Sequence, residues 1–128
     1  MNTGSECQLV DEDACRPLQE LELTDLTIDH VLLDAPGTSL LIFTGAGCAS
    51  CRVARRELPR LPLAVQRLCW IDAGDNFGAV QRYEVFHLPA IFVVHNGQFH
   101  GALNARLLAG EIDLRVREAL LRAPDELP

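Results

Sequence analysis

Two cysteines three positions apart, Cys48 and Cys51 in TGAGCASCRVARREL, are the residues of this 128-residue chain best suited to chemistry. The segment reads as a buried strand, a glycine-containing turn, and a helix whose first turn carries both sulfurs. Side chains at i and i+3 share one helix face, where the Cα separation of roughly 5.5 Å that a disulfide prefers is within reach. The pair can therefore close and open with little backbone motion. Free N–H groups and the dipole at a helix start favour an anion, which predicts that Cys48 ionises more readily than a free thiol. Ser50 adds a hydroxyl able to hydrogen-bond that thiolate. Arg52, Arg55, Arg56 and Arg60 follow, so four of the 11 positive charges lie on or just after this helix, in a chain of net charge −7.

The other cysteines carry less. A zinc site would need two ligands beyond Cys48 and Cys51, and the sequence holds no second Cys-x-x-Cys and no His-x-x-x-His. Cys7 and Cys15, eight positions apart, are the only spare thiols near the N-terminus, and they read as incidental or as a regulatory disulfide. Cys69 sits beside Trp70 in an apolar run and reads as a small buried hydrophobe, with Trp70 in the core. His30, His95 and His100 are expected at the surface or in turns.

The elements that must position the pair alternate in type. Leu21 to His30 is a short mixed segment, a strand leading into a helical turn, and Asp34 to Gly37 signals a turn. Ser39 to Thr44 is continuously apolar, as expected of a strand buried on both faces. A helix follows over Cys48 to Leu58, ended or kinked by Pro59 and Pro62. Leu68 to Ala73 is a second buried strand, with a helical segment near Asn76 to Tyr83. Pro89 to Val94 is a third strand, His95-Asn96-Gly97-Gln98 a hairpin turn, and Phe99 to Leu103 its return. A last helix runs from about Leu108 to Arg122, with Ile112, Val116, Ala119 and Leu120 on one side. This order predicts an α/β fold with a central mixed sheet of about four or five strands flanked by helices.

Length and composition set the frame. One domain of 128 residues is expected, with an acidic flexible tail over 1–20, a folded domain over 21–122, and a short frayed end over 123–128. All 11 basic residues are arginine, which excludes lysine Schiff-base chemistry and the phosphate-gripping lysine of a P-loop. The acidic balance argues against nucleic-acid binding. No run approaches the roughly 20 apolar residues of a membrane span, and the N-terminus lacks the basic and apolar regions of a signal peptide. A monomeric cytoplasmic protein with mostly reduced thiols is the resulting expectation.

Residues 22 to 122 resemble the thioredoxin family. Three features carry the resemblance: the strand and turn before Cys48 and Cys51; Leu88-Pro89 at the start of a later strand, where the family holds its proline in cis; and the Asn96-Gly97 hairpin before a terminal amphipathic helix. The resemblance implies thiol–disulfide exchange on proteins, with Cys48 attacking and Cys51 resolving. Leu88 would offer its backbone to an extended substrate, with Pro89 keeping the loop open. Gly47, Ala49, Ser50 and His87 complete the expected substrate contacts, and His87 is a candidate base or thiolate partner. The implied partners are protein disulfides or dithiols and a reductase, with no nucleic acid, membrane or metal. The only redox group implied is the Cys48–Cys51 disulfide.

Departures from the family pattern define an alternative. Gly47, Ala49 and Ser50 stand where the family has tryptophan, glycine and proline around its cysteines. The buried acid six positions before the first cysteine falls on Ile42, and its lysine partner cannot exist here. A thioredoxin-fold binding or adaptor module with little turnover is therefore the competing expectation. The arginine cluster is either a solvated helix face or a preference for acidic partners.

Overall fold

The computed structural model describes residues 18–128. Positions 1–17 of the expected tail, Cys7 and Cys15 among them, lie outside the described residues. Five strands form one sheet in the order β1-β3-β2-β4-β5, where β1 is Gln19–Leu23, β2 Thr38–Thr44, β3 Arg67–Asp72, β4 Ala90–His95 and β5 Gln98–Leu103. β1 and β2 run parallel to β3, while β4 runs antiparallel to β2 and β5 antiparallel to β4. The helices are α1 (Ile28–Asp34), α2 (Ala49–Glu57), α3 (Phe77–Arg82) and α4 (Ala109–Leu120).

Alternation along the central strands divides the core in two. Leu40 and Ile42 of β2 join Leu68 and Trp70 of β3 beneath Ala54 of α2 and Ile112 and Val116 of α4. Leu41 and Phe43 join Cys69 and Ile71 on the opposite face, against Ile28 and Leu32 of α1 and Ala79 of α3. Every residue of β2 is buried, which explains a continuous apolar run rather than an alternating one. Each such Leu or Ile side chain contributes roughly 1.5–3 kcal/mol when fully removed from water. That rigid central strand ends at Thr44, four residues before Cys48.

Several expectations need correcting. The strand β1 begins at Gln19, so Glu20 belongs to the sheet, where its Oε1 accepts the Trp70 Nε1–H at 2.9 Å. The end expected to fray is tied back: Phe99 and Asp125 exchange backbone hydrogen bonds of 2.8 and 2.9 Å, and Leu127 packs on the core. His100 is buried, with Nδ1 3.2 Å from the Ala119 carbonyl oxygen, and its ring lies 6.3 Å from that of half-buried His95. His30 is exposed as expected. Arg67 is buried at the start of β3, donating to Ser39 Oγ at 2.8 Å and to the Pro36 carbonyl at 2.7 Å. Among the described residues, no helix is long and apolar enough to cross a membrane.

Candidate active site

The geometry around the cysteines starts from two glycines. Gly47 has φ of +79°, a left-handed conformation in which a side chain is strained, and it turns the chain from β2 into α2. A Cβ on Gly45 would lie 2.8 Å from Leu88 Cδ1, so the missing side chain lets the loop after β2 approach the proline loop. Nothing local in the sequence marks Gly45, because the neighbour that requires it comes from a distant segment. The Leu88–Pro89 peptide bond is cis.

Cys48 proves to be the N-cap of α2 rather than a member of its first turn. Its backbone is extended (φ −95°, ψ 109°), and its sulfur accepts the Cys51 N–H at 3.2 Å. A backbone donor at a helix start thus points at the Cys48 sulfur, the arrangement that stabilises a thiolate. Cys48 and Cys51 form a disulfide with Cα atoms 5.2 Å apart. The two sulfurs differ in access: Cys48 is half-buried, whereas Cys51 is 2% exposed beneath the helix. Cys48 Sγ also lies 3.8 Å from the Leu88 carbonyl oxygen, which joins the two loops at one point.

On one side of α2 a groove of about 470 Å³ is lined by Ser50, Val53, His87, Leu88, Pro89 and Leu107 among others. Among the described residues, Leu88 makes no backbone–backbone hydrogen bond, so its N–H remains open to an extended chain, while its carbonyl oxygen faces Cys48 Sγ. His87 is exposed at this rim, and among the described residues no hydrogen bond joins it to either sulfur. The structure brings Ser50, His87, Leu88 and Pro89 into one groove. Gly47 and Ala49 are exposed in the turn and at the helix start, outside the groove lining.

Ile42 is fully buried, paired in register with Trp70 and Ile91. The position beneath the cysteine helix at which the resemblance implies an acid is therefore apolar. On the other side of α2, Asp72 at the end of β3 shares a second cleft with Cys51 and is the only carboxylate lining it. Cys69 is buried and free, and burial pushes its thiol up to about 11. Among the described residues, no group of three His, Cys, Asp or Glu side chains is placed to hold a metal ion.

No protein-family model matches the chain, and no curated protein matches it. Among solved structures it is similar to thioredoxin from Trypanosoma brucei brucei, at 16% identity, covering 84% of this chain and 96% of that one with a TM-score of 0.66. It is also similar to the first thioredoxin domain of mouse protein disulfide-isomerase A4, at 24% identity, covering 76% and 72% with a TM-score of 0.61. Human ERp44 in a zinc-bound form matches at 16% identity, covering 78% of this chain and 31% of that one, with a TM-score of 0.63. The chain thus spans about a third of the ERp44 chain and nearly all of the trypanosome protein. These likenesses establish a thioredoxin-like fold.

Proposed function

On a thioredoxin-like fold with a cysteine pair at the start of α2, we propose that this protein is a thiol–disulfide oxidoreductase acting on proteins through Cys48 and Cys51. The observation that carries the reading is the unequal access of the two bridged sulfurs. Half-buried Cys48 faces the Leu88–Pro89 loop, whereas Cys51 is only 2% exposed.

In the reduced protein the Cys48 thiolate attacks a substrate disulfide. A Cys48–substrate bond forms, the substrate S–S bond breaks, and the departing thiolate takes up a proton. Cys51 then loses its proton and attacks Cys48, so the Cys48–Cys51 bridge closes and the second substrate thiol leaves. Two electrons pass to the substrate and the protein becomes oxidised. Leu88 positions the substrate by a short β-type pairing, with Ser50, His87 and Pro89 lining its path. The cysteine pair itself stores the electrons, so the exchange needs no dissociable cofactor. A dithiol donor, reductase or small thiol, must return the pair to the reduced state.

Buried Ile42 favours a second reading, a binding module with slow turnover, because the position under α2 where the resemblance implies a proton-accepting acid is apolar, leaving Asp72 in the neighbouring cleft as the carboxylate that shares a lining with Cys51. The two readings separate in a dithiothreitol-driven reduction of a model protein disulfide. Exchange predicts that the wild type accelerates the reaction across pH 6–8 at least tenfold over Cys48→Ser. Equal rates for the two proteins would overturn it and leave the binding module.

A further inference from the structure

The second cleft, of about 460 Å³, opens on the side of α2 away from the proline groove, between the ends of β2 and β3. Arg52, Arg55 and Arg56 line it from the helix together with Cys51, and Asp72 lines it from the end of β3. Arg55 is anchored: its guanidinium is bidentate to Glu22 and lies 4.4 Å from the centre of the Trp70 ring. Arg56 pairs only with its neighbour Glu57, on side chains 60% and 37% exposed, and such a pair yields readily to a competing carboxylate. Arg52 is exposed and has no ion-pair partner among the described residues. Two guanidiniums beside the reactive disulfide thus face outward, on a protein whose net charge is −7.

We propose that this cleft selects the substrate: Cys48 exchanges with disulfides carried on polypeptide segments that bear aspartate or glutamate close to the reactive cysteine. This rests on the exchange reading above and adds a substrate class to it. A polypeptide fits better than a small anion because the disulfide is flanked on both sides, by the apolar groove with the open Leu88 backbone and by the arginines. A helix with its side chains is about 10 Å across, and an extended chain advances about 3.3 Å per residue. A segment paired at Leu88 therefore places an acidic side chain at the arginines when that residue lies about three positions from its cysteine. Bidentate guanidinium–carboxylate pairing is the contact such a residue would make with Arg52 or Arg56.

The test uses the reduced full chain and three disulfide peptides with identical apolar flanks. They carry glutamate, glutamine or arginine at the third position from the reactive cysteine. Second-order rates of Cys48–Cys51 formation are measured at low and high salt. The expected result is a rate for the glutamate peptide about tenfold above that for the glutamine peptide at 20 mM salt, with the ratio falling toward one as screening increases. In the double variant Arg52→Gln, Arg56→Gln that ratio drops to about one, and Arg52→Lys retains part of it. Equal rates for glutamate and glutamine peptides in the wild type, or a preference that survives in the double variant, would overturn the proposal alone. Failure of all three peptides to react would overturn the exchange reading and this proposal with it.

Discussion

Cys51 is the residue whose burial does most for the proposed reaction. At 2% exposure it is reached by Cys48 and hardly by outside disulfides, so its thiol is held for attack on the Cys48–substrate bond three residues away. Replacing it by serine removes the resolving thiol and leaves Cys48 competent to attack. Cys51→Ser is therefore expected to accumulate a covalent complex with a protein disulfide substrate, seen as a species of added mass that dithiothreitol dissolves, while Cys48→Ser accumulates none. Trapping through any other cysteine would assign the nucleophile elsewhere. Both cysteines and the Leu88–Pro89 pair were legible in the sequence because their signal is local spacing. Gly45 was not, since what requires a glycine there is the Leu88 side chain arriving from the far end of another loop.

Among the elements, β3 is the most informative. Its Cys69 faces the α1–α3 layer, where burial raises the thiol from the ordinary range near 9 to about 11, with Arg67 and Ser39 drawing it back only in part. Burial, and then the neighbouring Asp29, likewise raise the pKa of Tyr83, whose hydroxyl has no hydrogen-bond partner among the described residues. Both groups hold their protons more tightly folded than unfolded, so above pH 9 the unfolded chain loses protons that the native state keeps. The stability associated with neutral Cys69 is complete below pH 9 and declines by about 1.4 kcal/mol per pH unit up to about pH 11, with Tyr83 adding to the slope near the top. Urea unfolding midpoints measured from pH 8 to 11 should fall accordingly. A flat profile would contradict the burial of these two side chains. The strands and helices themselves were readable from apolar runs and turn residues, and their ends fell within a few residues of expectation. Buried Arg67 and His100 were not readable, because their hydrogen bonds to Ser39, Pro36 and Ala119 come from other parts of the chain.

At the scale of the whole molecule, the sheet order places the C-terminal ends of β2 and β3 and the start of β4 at one edge, and α2 begins there. That edge carries the disulfide with an apolar groove on one side and an arginine-lined cleft on the other. The α/β order and the resemblance foresaw the sheet and the pairing of the proline loop with the cysteines. Neither indicated that the tied-down C-terminus would brace β5, nor that the arginines of α2 would divide between an anchored Arg55 and outward-facing Arg52 and Arg56. The first depends on the Phe99–Asp125 pairing, and the second on the contacts of Arg55 with Glu22 and Trp70. Cys48 and Cys51 are expected to form a reversible two-electron couple, which equilibration with a series of glutathione redox buffers measures. Acid quenching, alkylation and mass analysis of the peptide containing both cysteines should show a single transition between dithiol and disulfide. Its midpoint should fall between about −120 and −270 mV, the span of working thioredoxin-fold couples. A pair that remains alkylated, or remains bridged, across the whole series would contradict the account.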